Sequence, residues 1–449
     1  MPQEHLAAKR RAVQEALLAH VEQRQSLLIL KAPPGSGKTH VTLRAVALAA
    51  HRRQRVAVAT PTNAQSDDFC KRMAAEFPRV PVIRYASGKR TEIPLGASVT
   101  WARAAKELPV GPVVVVGTTS KWATSPVDDP YDFLFVDEAW QTAWADFMML
   151  SAVASRSVLV GDPGQIPPVV SIDVARWQTS RRPPHAAAPA VILRDRSVPA
   201  HVLELPVTTR LPHDTAAMVR NFYDFHFDSW AAPGERRLEV ADGGGNGRGG
   251  DGALDLLRTG SVAVLTLPTP DAGPPLEEDI EVAEAAATLV KRLLARGATV
   301  VCEAGPRPLL PKDIGLTATH RVMNTRLAEA LGVLARDVRV DTPERWQGLE
   351  REVMIAVHPL SGVVRPTAFD LSTGRLCVMA SRHRTGLIIV TRDHVPTTLG
   401  EYLPVADQAV GLPDDAGRGH AQNLAVWELL ARGGRVVQAS RQSRLSWSP

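Results

Sequence analysis

Three polar clusters in this chain each follow an apolar run, and each carries residue types suited to phosphate chemistry. The first is Ala32-Pro33-Pro34-Gly35-Ser36-Gly37-Lys38-Thr39, behind Leu27-Leu28-Ile29-Leu30 and ahead of a helical pattern over 41–50. Gly35 and Gly37 let backbone N–H groups turn toward phosphate oxygens. A helix start adds partial positive charge at the same place. Lys38 is expected to reach the β and γ phosphates, and the Thr39 hydroxyl to ligate Mg²⁺. Strand, loop and helix form the context a P-loop requires. The expected ligands are therefore ATP and Mg²⁺, with Pro34, Gly35, Ser36, Gly37, Lys38, Thr39 and His40 lining the nucleotide. Ala32 stands where the pattern usually begins with Gly.

The second cluster is Asp137-Glu138-Ala139-Trp140-Gln141, behind Phe133-Leu134-Phe135-Val136. A carboxylate at the end of an apolar strand sits beside the P-loop in a parallel sheet. Asp137 is expected to hold the Mg²⁺ shell, and Glu138 to orient and deprotonate an attacking water. The third is Gly161-Asp162-Pro163-Gly164-Gln165-Ile166, behind Val158-Leu159-Val160. The Gln165 amide could sense a γ-phosphate there, although a Pro/Gly turn needs no such role.

Elements must position these groups. Further short apolar runs occur at Val56-Ala57-Val58-Ala59 and Val113-Val114-Val115-Val116, with helical patterns between several of them. Continuous apolar strands alternating with helices predict a parallel sheet covered on both faces. The pattern restarts after about residue 200. Strands are expected at 261–265, 299–302, 314–317, 353–357 and 387–390, and a helix over 281–295. At 449 residues the chain exceeds one ordinary core. The expected division is a first α/β domain over 1–200, a second over 201–400 and a C-terminal tail over 401–449 with one helix near 421–430. The glycine tract 242–252 is expected to be disordered, since it cannot bury enough apolar surface. Residues 181–189 read as an irregular surface excursion.

Composition is that of an ordinary globular protein, with 45% hydrophobic and 22% charged residues. No apolar run is long enough to span a bilayer, and the first residues lack the pattern of a signal peptide, so a cytoplasmic location is expected. Cys70, Cys302 and Cys377 lie too far apart to suggest zinc or a disulfide framework. The net charge of +5 permits nucleic-acid binding without demanding it.

The order of APPGSGKT, DEAWQ and GDPGQIPPV resembles superfamily 1 helicases, in the branch of the nonsense-mediated-decay RNA helicase and related DNA helicases. The second half resembles it too. Thr208-Thr209-Arg210-Leu211-Pro212-His213 is similar to the segment that opens that family's second domain. Residues 314–320 are similar to its motif IV, Trp346-Gln347-Gly348-Leu349-Glu350 to motif V, and 376–384 to motif VI. The resemblance implies two RecA-like P-loop NTPase domains with parallel sheets. It implies that Arg210 and Arg382 are arginine fingers, that Gln347 and Gly348 line the nucleotide interface, and that Glu350 contacts the ribose. Lys9 stands where the family's Gln before the P-loop would fall.

The same resemblance implies single-stranded nucleic-acid contacts at Thr60, Pro61, Thr62, Asn63, Thr118 and Thr119, and at Thr319 and His320. Sequence-independent binding is expected, because no dense aromatic or Arg cluster marks a base-reading surface. The implied activity is ATP-dependent 5′→3′ translocation or unwinding by a monomer, on DNA in preference to RNA. A nucleic-acid-gated ATPase switch that recruits a nuclease or another partner is the alternative. A protein-remodelling ATPase of the AAA type is a third reading, and two fingers within one chain argue against it.

Overall fold

The computed structural model describes residues 2–23, 25–170, 173–177, 179–195, 197–241, 249–403 and 414–439. The chain forms two compact units. One comprises Met1–Pro163 and Pro167–Val207, the other Gly164–Ile166 and Thr208–Pro449.

The first unit runs α1 (Pro2–Gln23), β1 (Leu27–Lys31), α2 (Lys38–His51), β2 (Val56–Thr60), α3 (Asn63–Glu76), β3 (Val82–Tyr85) and β4 (Val99–Ala102). It continues β5 (Val114–Thr118), α4 (Thr119–Ala123), β6 (Phe133–Asp137), α5 (Trp144–Leu150), β7 (Ser157–Gly161), α6 (Ala188–Arg194) and β8 (His201–Glu204). The strands form one sheet in the order β4-β3-β5-β2-β6-β7-β1-β8, parallel at every pairing. Successive side chains on a strand point to opposite faces, and here both faces are covered. Leu28, Leu30, Val56 and Val58 pack with Val41, Val46 and Phe69 in one core. Ile29, Ala57 and Leu134 pack with Trp122, Phe147 and Ile192 in another. That double burial is why the strands read as unbroken apolar runs. Each fully buried Val, Leu, Ile or Phe contributes roughly 1.5–3 kcal/mol.

The excursion expected over 181–189 is only partly superficial. Arg181 and Arg182 are exposed, but Ala187 and Ala188 are buried in the second of those cores, where α6 begins.

At the boundary where the second unit begins, β9 (Val207–Thr208) pairs with β10 (Asp228–Ser229), and α7 (His213–Val219) lies between them in sequence. An antiparallel trio joins β11 (Arg237–Glu239), β13 (Thr299–Val301) and β14 (Arg307–Pro308). The main sheet uses β12 (Val262–Leu267), β15 (Ile314–Thr317), β16 (Arg339–Asp341), β17 (Arg351–Val357), β18 (His383–Arg392) and β19 (Val436–Gln438). Their order is β16-β15-β17-β18-β12-β19, again parallel throughout. Helices α8 (Gly249–Leu256), α9 (Ile280–Ala295), α10 (Arg321–Leu331), α11 (Pro343–Trp346), α12 (Ala368–Leu371), α13 (Thr373–Ala380), α14 (Val395–Glu401) and α15 (Asp415–Arg432) complete it. The α/β class with two parallel sheets is thus what the fold displays.

Two expectations are corrected by the second unit. Of the glycine tract, 242–248 lie outside the described residues, but 249–252 open α8 and are helical. Ala253 and Leu254 of that helix are buried in the core, and Asp251 pairs with Arg292 at 2.9 Å and with Arg296. The described end of the chain is not a loose tail either. β19 adds to the sheet beside β12, and Val426 and Leu430 of α15 are buried in a core cluster.

Candidate nucleotide site and nucleic-acid loops

In the first unit the loop after β1 is tied to the end of β7 by the Ala32 amide, which donates to the Gly161 carbonyl at 2.9 Å. Gly35 and Gly37 have φ of 68° and 78°, the left-handed region that a side chain disfavours. Gly37 is the N-cap of α2 and supplies no side-chain cap, so amides of the first turn remain for a bound anion. The Ser36 hydroxyl is buried without a hydrogen-bond partner among the described residues. These features fit a polyphosphate. His40 is exposed, and its ring meets Glu76 at 3.1 Å.

Lys38 Nζ lies 2.7 Å from Glu138 Oε1. Burial works to lower the Lys38 pKa, but Glu138, Asp137 and Asp162 outweigh it and raise the value. Asp137 moves the other way from an ordinary carboxylate: burial and the neighbouring Glu138 raise its pKa, against the pull of Lys38. Lys38 therefore faces three carboxylates, with Arg72 adding a weaker pull on Asp137, which is a setting that welcomes a further cation. No group of three or more His, Cys, Asp or Glu able to hold a metal occurs among the described residues. Mg²⁺ commonly uses one or two carboxylates plus substrate phosphates rather than an all-protein cage, so Asp137 and Thr39 fit such an ion. β7 lies between β1 and β6, so the P-loop strand and the acidic strand are next-nearest rather than adjacent. Lys38 and Glu138 nonetheless meet across it.

Glu138 has φ 53° and ψ 43°, one of two described non-glycine residues with positive φ, the other being Arg53. A left-handed conformation costs an L-residue roughly 1–2 kcal/mol. The turn holds the carboxylate against Lys38 despite that cost.

The expected site residues of the second half lie in the second unit. Gly164–Ile166 group with it, and an ideal Cβ at Gly374 would fall 2.9 Å from the Gln165 carbonyl oxygen. Gln165 is thus packed against the start of α13. Arg210 Nε donates to Glu350 Oε2 at 2.6 Å, and Arg384 Nη1 to Glu350 Oε1 at 2.9 Å. Burial would raise the Glu350 pKa, but the two arginines hold it below the usual range. Arg210 Nη1 also donates to the Ser381 carbonyl at 3.4 Å. Arg382 is buried, with Nε donating to the Val378 carbonyl at 3.3 Å. Gln347 follows α11, and Gly348 turns at φ 80° before Glu350. The sequence assigns no role to Arg384 or Asp162, although both lie inside the segments that carry the resemblance.

The loops expected to hold nucleic acid divide. Thr60 is fully buried: its hydroxyl donates to the Thr62 carbonyl at 3.1 Å and meets Ser66 Oγ at 2.7 Å. Its side chain therefore fixes the loop and cannot face a strand, which corrects the expectation for that residue. Thr62 caps α3 in a capping box with Gln65, and Asn63 Oδ1 accepts from Arg84 Nη2 at 2.7 Å. Thr118 caps α4 by accepting from the Lys121 amide at 3.1 Å, and the Thr119 hydroxyl donates to the Thr60 carbonyl at 3.4 Å. Thr62 and Asn63 are exposed and Pro61 half-buried.

In the second unit Thr319 and His320 line a cavity of about 570 Å³ with Leu276, His358, Val364 and Phe369. The loops after β12, β15 and β17 form it, at the carboxyl ends of parallel strands where open α/β sheets take ligands. Leu276, Val364 and Phe369 are 77%, 61% and 50% exposed, and the Thr319 hydroxyl is buried without a partner among the described residues.

Residues 13–171 match a protein-family model described as AAA domain. The match takes in the P-loop, Asp137, Glu138 and the turn after β7. No curated protein sequence matches the chain. Among solved structures, the arterivirus nonstructural protein 10 helicase is 15% identical at a TM-score of 0.44, over 86% of this chain and 63% of that one. The same protein in complex with DNA gives 15% identity and 0.43, over 86% and 64%. The DUF1998 helicase MrfA bound to DNA and AMPPNP gives 10% and 0.40, over 86% and 48%. The chain thus spans less than two thirds of the length of these proteins. Similarity at this level says nothing about function. No described helix is long and apolar enough to cross a membrane.

Proposed function

We propose that this chain is a superfamily 1 helicase-type ATPase that couples ATP hydrolysis to 5′→3′ movement on single-stranded nucleic acid, DNA in preference to RNA. The observation that carries the reading is the 2.7 Å pair of Lys38 with Glu138 at the mouth of the P-loop. A lysine ready for phosphate and a carboxylate ready for water are held together by each other. A polyphosphate that draws Lys38 away leaves Glu138 Oε1 free to accept a proton from water. Amides at the start of α2 hold the phosphates, and Thr39 and Asp137 hold Mg²⁺. The metal, when bound, neutralises charge on the phosphate oxygens. Arg210 and Arg382 act as fingers on the γ-phosphate, where a guanidinium stabilises spreading charge. Gln165 reads the same phosphate, and Gln347, Gly348 and Glu350 complete the nucleotide's surroundings.

The strand is held by Pro61, Thr62, Asn63, Thr118, Thr119, Thr319 and His320, through backbone and hydroxyl groups rather than base edges. Thr60 supports this set from below. A switch that recruits a partner without unwinding stays as the second reading, because a compact first unit leaves little room for an inserted wedge between the P-loop and β6. Two arginine fingers in one chain disfavour a ring-forming remodelling ATPase.

The test has two arms. ATPase activity is measured with single-stranded DNA, single-stranded RNA, duplex and no nucleic acid. Streptavidin displacement is then followed from strands biotinylated at either end. Stimulation by single strands with faster displacement from the 3′ end is expected. Faster displacement from the 5′ end refutes the polarity. Stimulation without displacement from either end selects the switch.

A further inference from the structure

We infer that Arg10, on α1, is a second cation for the phosphate chain of the bound nucleotide. This inference rests on the P-loop reading and adds a residue from outside every motif. An ideal Cβ at Gly37 would lie 2.7 Å from Arg10 Nη2 and 3.7 Å from Cζ. The guanidinium therefore occupies the space a side chain at Gly37 would fill, directly against the residue that precedes Lys38. Gly37 is glycine for two independent reasons, its φ of 78° and this contact.

The charge at Arg10 is not answered by any of the described residues. Among the described residues no carboxylate pairs with it, and its Nε is buried without a hydrogen-bond partner. Arginines elsewhere in the unit contrast with it: Arg84 is held by Asp67 at 2.8 Å, and Arg156 by Asp132 at 3.0 Å. Lys38 is likewise held by Glu138. Leaving a partly buried guanidinium donor unsatisfied is costly, and a site that binds a polyanion is where the cost is recovered. The neighbourhood adds to the potential. A cleft of about 170 Å³ between α1 and α2 is lined by Arg11, Gln14, Glu15, Leu18, Val41 and Arg44. Arg10, Arg11 and Arg44 thus place three guanidinium groups along the P-loop helix, with Glu15 the one carboxylate among the lining residues.

Chemistry favours the phosphates over the base. A guanidinium only donates; it matches phosphate oxygens in fork geometry and cannot accept from an amino group on adenine.

The experiment titrates MgADP and, separately, MgGDP into the full chain and into R10M and R10K by calorimetry, with melting temperatures taken without added nucleotide. R10M keeps the side-chain bulk and removes the charge. The expected result is a ten- to hundredfold weaker Kd for R10M with both nucleotides, partial recovery in R10K, and melting temperatures within about 2 °C of wild type. An R10M affinity within twofold of wild type overturns the proposal. So does a loss confined to one of the two bases, which would put Arg10 on the base edge. A loss equal in R10M and R10K with a matching fall in melting temperature makes Arg10 a packing residue only. A wild-type chain that binds neither nucleotide refutes the P-loop reading itself, a different failure from the other three.

Discussion

Replacing Glu138 with Gln separates the two jobs assigned to that side chain. At 2.7 Å from Lys38 Nζ the carboxylate attracts the ammonium by roughly 6 kcal/mol at an effective dielectric of 20. Most of that does not appear as net binding energy, because both groups lose hydration and a glutamine amide oxygen still accepts from Lys38. Charge-assisted hydrogen bonds exceed neutral ones by about 1 kcal/mol. The phosphates of ATP must compete for Lys38 against whatever holds it. Weakening the competitor by about 1 kcal/mol should tighten MgATP binding about fivefold. The same change removes the acceptor for the water's proton, for which a loss of about 10²–10⁴ in turnover is ordinary. The variant is therefore expected to bind ATP better and hydrolyse it far worse. The assays are a fluorescent-nucleotide titration and single-turnover phosphate release with single-stranded DNA present. Weaker ATP binding in E138Q would refute the competition argument. Turnover within a few-fold of wild type would refute the assignment of the base. A fall in melting temperature of more than a few degrees would show that Glu138 acts chiefly in stability.

Arg210→Ala should lower kcat by on the order of a thousandfold, the scale of an arginine finger. The fold should hold, because Arg384 keeps Glu350 paired at 2.9 Å; an unchanged kcat removes Arg210 from the reaction. Stability of the second unit should fall with acid. Burial pushes His383 down to about 3 and His358 down to about 4. The unfolded chain therefore binds protons below about pH 6.5 that the folded one refuses, and stability falls as pH falls. The loss is on the order of 2 kcal/mol per histidine at pH 5, starting near pH 6.5 and levelling off below the folded values. Urea unfolding at pH 7.5 and pH 5.0 measures it, and equal midpoints would show that neither histidine is buried neutral. Thr60→Val should destabilise the first unit by about 1–2 kcal/mol, because a buried hydroxyl with two partners is lost. A Thr60→Val chain of unchanged stability that binds single strands several-fold more weakly would return Thr60 to the nucleic-acid surface.

Why some of this could be read from sequence and some could not depends on how far apart the partners lie. The P-loop is contiguous: strand, glycines, lysine and helix start occupy residues 27–51, so type and order alone imply the phosphate site. Asp137 and Glu138 were legible because an apolar strand ends on them. What escaped depends on distant neighbours. Thr60 looked like a loop hydroxyl, yet it ends β2, a central strand, where Ser66 and the Thr62 carbonyl enclose it. Nothing near Glu350 in sequence announces its pairing, because its partners Arg210 and Arg384 come from 140 and 34 residues away. The final segment looked like a tail because β19 finds β12 across 172 residues at Val264 and Val436. Composition misled at 249–252 for a related reason. Glycines set no helix by themselves, but Asp251 is held by Arg292 of α9 and by Arg296 at its C-cap, and its successors Ala253 and Leu254 are buried. Arg10 is the extreme case: nothing in residues 1–23 marks it out, and only packing of α1 against the P-loop puts its charge at Gly37. A site read from motifs is therefore most incomplete in residues that long-range packing delivers to it. The most informative mutations in this chain are those at Arg10, Arg384 and Asp162, outside the roles that the motifs assign.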